Sequence, residues 1–417
     1  VSGNRKVTGY EAGRIKRARA QLKGRSGPMS WEDPNLSRAE AVTVFVESLP
    51  CTKGILQGAA MRLLPHQLEF IEMLYGSDPQ PKLGIQSLPR GNGKTSFVAA
   101  LALCHMLGPE AEKRGAVYSA ATDRAQAALT FAEIEATICA VPEFSVRCAI
   151  SGYHKRITVL EGRGEGSVYE ALSADAPRAF GLAPSLWLYD ELAQAKDRRL
   201  LDALMTSTGK RKNSFGIIIS TQAQTDDHPL SVLIDEAAAG RAPNTVCQLK
   251  AAPMDADAFS LETIRDCNPA AGIFLNEADL VAAADMARQS YAFEPAYRNY
   301  RLNQRIRTDA DARLVDAATW NRGAVPVVEE KLIGKSCICG FDNAAKHDLV
   351  AFLLSFEGTD GTLDILCRFW TPLGQLPGRR PGERELFEQW IRAGYLIGVP
   401  GDIVDPAWVL REISLLA

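Results

Sequence analysis

The segment Ser87-Leu-Pro-Arg-Gly-Asn-Gly-Lys-Thr-Ser96 limits the possible folds of this chain more than any other. It follows an apolar run, Leu83–Leu88, and opens a helical pattern, Lys94–Met106. A strand that passes through glycines into a helix is the building unit of α/β proteins with a mostly parallel sheet. Measured against G-x-x-x-x-G-K-[ST], the loop keeps Gly93, Lys94 and Thr95, but Leu88 stands where the first glycine belongs. A helix start of this kind aims the N–H groups of Arg90, Gly91, Asn92, Gly93, Lys94, Thr95 and Ser96 at phosphate oxygens. Lys94 adds charge at the β- and γ-phosphates of ATP, and Thr95 supplies a hydroxyl to Mg²⁺. An ordinary strand-to-helix turn competes with this reading while the loop is taken alone.

The surroundings decide between them. Short apolar runs alternate with amphipathic stretches from about residue 40 to 250, with strands expected at Gly115–Ala120, Ile157–Glu161, Ser185–Tyr189 and Gly216–Ser220 and a helix at Asp123–Ala140. The run Leu186-Trp-Leu-Tyr-Asp-Glu191 ends in two carboxylates, which is the Walker B arrangement. Asp190 is placed for the magnesium shell, and Glu191 to orient or deprotonate an attacking water. Loop and strand together indicate an ATPase. Gln67, in Leu64-Pro-His-Gln67, offers one donor and one acceptor to an adenine edge. Ser220 and Thr221 end an apolar strand where hydroxyls can sense the γ-phosphate, although strand capping explains them nearly as well. Arg90 inside the loop and Arg178 ahead of the Walker B strand are candidates for stabilising the transferring phosphoryl group, in cis and in a neighbouring subunit's site respectively. A surface ion pair explains either arginine equally well.

At 417 residues the chain exceeds what one core usually holds, so two domains are expected. Its pattern divides into a basic arm at 1–45, a P-loop core at 46–250, a helical subdomain and linker at 251–332, and a second sheet from 333 to 417. A formal charge of -3 does not exclude nucleic acid, because residues 1–30 carry eight basic side chains against one acid. That arm reads as solvated, or as a contact with nucleic acid or a partner subunit. No apolar run approaches the roughly 20 residues of a spanning helix, and no apolar leader suggests secretion. Nine cysteines without a C-x-x-C pair read as cytosolic core thiols, Cys337 and Cys339 included. The five histidines show no metal spacing.

Taken together, Pro89-Arg-Gly-Asn-Gly-Lys-Thr95, Leu188-Tyr-Asp-Glu191 and Ser220-Thr221 resemble the large terminase subunit of tailed bacteriophages. Gly340-Phe-Asp-Asn-Ala-Ala-Lys-His-Asp-Leu-Val-Ala351 resembles the first strand of that family's RNase H-like nuclease, and Trp390 to Asp405 is similar to its later nuclease region. The resemblance runs from about residue 60 to the end. It implies a RecA-like P-loop ATPase that moves double-stranded DNA into a procapsid, joined to a metal-dependent endonuclease that cuts concatemers. It also implies a homo-oligomeric ring on the portal protein, a small terminase subunit as partner, and the host bacterial cytoplasm as the place of action. Asp342 matches the first nuclease ligand for Mg²⁺ or Mn²⁺ and Asp348 the accessory acid, while Ala344 replaces the usual serine. The sequence reaches Ala417 before the family's second and third acids, so a partial nuclease is expected; Asp364, Asp402 and Asp405 are the acids at hand. A RecA-like DNA helicase and a defective prophage remnant that binds nucleotide are the other readings.

Overall fold

The computed structural model describes residues 9–21, 29–122, 124–172, 181–211, 213–290, 292–306, 322–343, 349–358, 361–379 and 381–416. The chain divides into two compact units, 1–313 and 314–417.

The first unit is built on an eight-stranded sheet. Its strands are β1 (Leu83–Ser87), β2 (Ala116–Ala121), β3 (Cys148–Ser151), β4 (Arg156–Val159), β5 (Val168–Leu172), β6 (Leu186–Asp190), β7 (Phe215–Ser220) and β8 (Thr245–Leu249). They lie in the order β3-β4-β5-β2-β6-β7-β1-β8. Every pair from β5 to β8 is parallel, and β3 and β4 add antiparallel strands at one side. Helices cover both faces, so β1, β6 and β7 are buried at every residue and show no polar alternation. One face packs on the helix Lys94–Leu107 together with Phe45, Phe70 and Phe131; the other packs on Leu200, Leu204 and Ile234. Gly216 in β7 lies against the Trp187 ring of β6, where a Cβ would overlap the indole.

Two described helices that begin in the region up to residue 45 pack on the rest of the first unit. The helix Arg38–Glu47 buries Val42, Phe45 and Val46 in the main core, and its Arg38 holds Glu110 through two hydrogen bonds of 2.8 and 2.5 Å. The helix Gly9–Gln21 is docked as well: buried Arg14 donates to Ser145 O at 2.7 Å and to Cys148 O at 2.5 Å. An arginine held by buried backbone carbonyls behaves as part of the core, whatever the charge of the arm around it.

Residues 251–306 belong to the first unit. They carry a small core of their own, with Ile264, Leu280, Ala284 and Tyr297, formed by the helices Leu261–Cys267, Glu277–Gln289 and Glu294–Leu302.

The second unit holds β9 (Ile338–Asp342), β10 (Val350–Glu357), β11 (Leu363–Pro372) and β12 (Ile397–Val399), in the order β12-β11-β10-β9. The first three are antiparallel neighbours, and β12 joins β11 in parallel. Val350, Phe352 and Trp370 pack with Val404 and Val409, and Phe387 with Leu376 and Leu396. Cys337 and Cys339 are exposed, contrary to the packed role expected for them. Among the described strands β9 is the last in its sheet and each of its residues is exposed, Cys339 included, with Cys337 just before it. No helix among the described residues is long and apolar enough to cross a membrane.

Candidate functional site

In a parallel sheet the loops after neighbouring strands leave at one edge, and a ligand site forms there. Here β7 lies between β6 and β1, so three segments come together: the loop after Ser87, the acids ending β6, and Ser220-Thr221 ending β7. Leu88, the residue at the missing glycine, is fully buried, and its N–H bonds Ser220 O at 3.1 Å. The strand simply runs one residue further before the loop turns. Gly91 and Gly93 have φ of 93° and 75°, and a Cβ at either would press on Leu275 or Phe274, so the loop needs both glycines.

Thr95 Oγ1 donates to Asp190 Oδ2 at 3.3 Å. Burial, and then the neighbouring Glu191 charge, push the Asp190 carboxyl up to about 7. Lys94 is buried, and burial lowers its pKa; its Nζ donates to Leu88 O at 2.7 Å and Pro89 O at 3.1 Å. Glu191 adopts φ 56°, the left-handed region that a non-glycine residue enters at a cost. Its Oε2 lies 3.4 Å from Ser220 Oγ and 3.5 Å from Thr221 N. A cavity of about 600 Å³ is lined by Arg90, Gly91, Asn92, Lys94, Thr95 and Glu191 among others. That volume suits a nucleoside triphosphate.

Gln67 and Ser96 also line this cavity. The Gln67 oxygen accepts Leu64 N at 2.9 Å as a helix cap, so the acceptor expected to read adenine is already engaged. The Arg90 guanidinium stacks 3.7 Å over the Tyr300 ring. Arg178 and Asp348 lie outside the described residues.

Sequence reasoning missed the polar joint beneath the loop. Asn92 Nδ2 donates to Asn268 Oδ1 at 2.9 Å, and Asn92 Oδ1 accepts Ala270 N at 3.1 Å. Asn303 Oδ1 accepts Gln222 N at 2.7 Å, and its Nδ2 donates to Ser87 Oγ at 3.0 Å. Asn268-Pro269 reads only as turn punctuation in the sequence, and nothing in one sequence pairs residue 268 with residue 92.

Residues 80–236 match the terminase large subunit, ATPase domain family. The chain is 33% identical over 383 residues to the terminase large subunit of Enterobacteria phage HK97, covering 91% of this chain and 74% of that protein. The chain belongs to the phage large terminase family. It is therefore an ATPase of phage DNA packaging. The crystal structure of the HK97 bacteriophage large terminase superposes with a TM-score of 0.60 at 32% identity, over 91% of this chain and 78% of that one. The large terminase of a thermophilic bacteriophage, in complex with ADP, is similar at 11% identity and a TM-score of 0.41, over 85% of this chain and 80% of that one.

In this terminase the second unit carries Asp342 at the end of β9, exposed and opposite Ala351 of β10. Asp364, on β11 at the other side of β10, pairs opposite Phe356, five residues further along β10, an offset of roughly 17 Å along the strand direction alone at the usual rise. Asp405 Oδ1 caps the helix Pro406–Leu416 by accepting Ala407 N at 2.9 Å. Among the described residues no three His, Cys, Asp or Glu side chains gather into a metal site. Two-metal cleavage needs several converging carboxylates, and of the two acids matched to the family's nuclease only Asp342 is among the described residues.

Proposed function

We propose that this chain hydrolyses ATP at the edge of β1, β6 and β7 and uses the energy to drive double-stranded DNA into a procapsid. The observation that carries the reading is the Thr95–Asp190 contact, with Glu191 turned by its left-handed backbone toward Ser220 and Thr221. A hydroxyl beside a buried carboxylate is an all-oxygen donor pair, which fits Mg²⁺, and the raised Asp190 pKa marks a carboxylate short of positive charge. Bound there, the ion would neutralise phosphate charge.

The chain's own groups supply the rest. The N–H groups of Gly91 to Ser96 receive the phosphates, and Lys94 exchanges its two loop carbonyls for β- and γ-phosphate oxygens. Glu191 accepts the proton of the attacking water, held between its carboxylate and the Ser220 and Thr221 groups. Arg90 serves the same site in cis, and Arg178 serves a neighbouring subunit's site. Arg90 N donates to Tyr300 O at 2.8 Å and Asn92 bonds Asn268, so a change in the loop is transmitted to the helical segment 251–306. Movement of that segment in a homo-oligomeric ring on the portal protein, with the small terminase subunit delivering DNA in the host cytoplasm, would be the power stroke.

The decisive experiment measures DNA-stimulated ATP hydrolysis and packaging into portal-bearing procapsids. Duplex translocation that needs the portal and vanishes in Lys94→Ala supports the reading; unwinding of forked DNA without a portal would favour a helicase. For the second unit, Asp342 and Asp348 are proposed as nuclease acids on family likeness. Plasmid nicking with Mn²⁺ that disappears in Asp342→Ala supports that role, and nicking that survives refutes it.

A further inference from the structure

One wall of the nucleotide cavity comes from outside the phosphate loop. Residues 49–62 form a turn closed by the Pro50–Ala60 bridge, with Cys51 N bonded to Ala59 O at 2.8 Å and Met61 N to Leu49 O at 2.8 Å. Thr52, Lys53, Ile55 and Leu56 of this turn line the same cavity as Lys94 and Thr95.

One carboxylate ties the turn down. Glu133, on the helix Arg124–Ala140, is 8% exposed and also lines the cavity. Its Oε2 accepts Thr52 Oγ1 at 2.9 Å and Ser96 Oγ at 3.1 Å, while Oε1 pairs with Lys53 Nζ at 2.6 Å. Three segments distant in sequence therefore meet at one charge: the wall, the first turn of the phosphate-loop helix, and the helix after β2. A buried acid beside a polyphosphate pocket repels the ligand, so contact with phosphate does not explain it. With two hydroxyls and an ammonium already donating, its charge is satisfied by the protein.

We propose that Glu133 is a positioning residue that clamps the 49–62 turn to the phosphate-loop helix and thereby sets the pocket into which ATP fits. The proposal rests on the phosphate loop being the ATP site. Lys53 is its outer arm: an exposed ion pair contributes little by itself, but here it completes the set of donors around a buried charge.

Steady-state ATP hydrolysis and binding of a fluorescent ATP analogue to the full chain test this, with Lys94→Ala as the control for the site itself. Glu133→Ala should raise KM for ATP about tenfold with kcat nearly unchanged, the mark of lost ground-state binding. Lys53→Met and Thr52→Val, both on the turn, should raise KM about threefold without unfolding the protein. The double variant Lys53→Met/Glu133→Ala should be no worse than Glu133→Ala alone, because both act through one clamp. Normal ATP binding in Lys94→Ala would overturn the site. Loss of binding in Lys94→Ala with unchanged KM in Glu133→Ala and Lys53→Met would overturn the clamp alone. So would tighter binding in Glu133→Gln, which would mean that Lys53, once released, contacts phosphate directly.

Discussion

Glu191 shows how one residue joins backbone and chemistry. Its left-handed φ turns the carboxylate off the end of β6 toward β7, at a cost of roughly 1–3 kcal/mol. Glu191→Gln keeps the shape and removes the base, so it should retain ATP affinity while single-turnover hydrolysis falls at least about a hundredfold. Lys94→Ala should instead abolish measurable binding of the fluorescent analogue. His105 gives a separate test. It is buried, its Nε2 shares a hydrogen bond of 3.1 Å with Tyr75 OH, and burial lowers its pKa to about 4. Between pH 4 and the ordinary value near 6.5 the unfolded chain binds a proton that the folded chain refuses. The corresponding stability is fully present above pH 6.5 and is lost as the pH falls toward 4. By pH 5 the loss from this group is about 2 kcal/mol. Urea midpoints at pH 7 and pH 5 should therefore differ less in His105→Gln than in the parent. Of these residues, Lys94 and Glu191 were visible in the sequence because their spacing is local to a strand end. His105 was not, because its burial is created by Tyr75 and Phe215, distant in the chain.

The strands that were legible are the fully buried ones. β1, β6 and β7 are continuous apolar runs, and the structure places them within a residue or two of their expected bounds. β3, β5, β8 and β12 are not legible in this way: the first three are short, half-buried and carry polar residues such as Ser151, Glu170 and Gln248, and β12 is only Ile397-Gly-Val399, so no period stands out. The helical segment was legible as helices but not as a structure built onto the phosphate loop. Its attachment depends on Asn303, whose φ of 55° ends the helix Glu294–Leu302 and whose amide bonds Gln222, Ser87 and Lys250. Asn303→Ala strands those buried groups and also strains the backbone, so a loss of about 3 kcal/mol is expected by chemical denaturation. Asn303→Gly should lose less, since it tolerates the angle. Gly216→Ala, which drives a methyl into Trp187 at the β6–β7 contact, should lower stability by about 1–3 kcal/mol.

At the scale of the molecule, the two units differ in how much of a site each displays. Every residue lining the nucleotide cavity lies within 1–313, and so do the three largest packed clusters. A protein comprising residues 1–313 should therefore unfold cooperatively and bind ATP within about twofold of the full chain, measured by calorimetry and analogue titration. Family membership was readable because the motifs occur in order across both units, and no single motif had to carry it. The nuclease acids are not readable from spacing alone: Asp364, Asp402 and Asp405 look equally available in the sequence, and each also fits a turn, a hairpin or a helix start, as the Asp405 cap on the helix Pro406–Leu416 illustrates. The left-handed backbone at Glu191 also has a consequence for anyone breeding this motor for heat resistance. Glycine and asparagine relax that angle, so a screen that rewards survival on heating, blind to turnover, will enrich them at position 191. The hardiest descendants would then be motors that grip their fuel and never burn it.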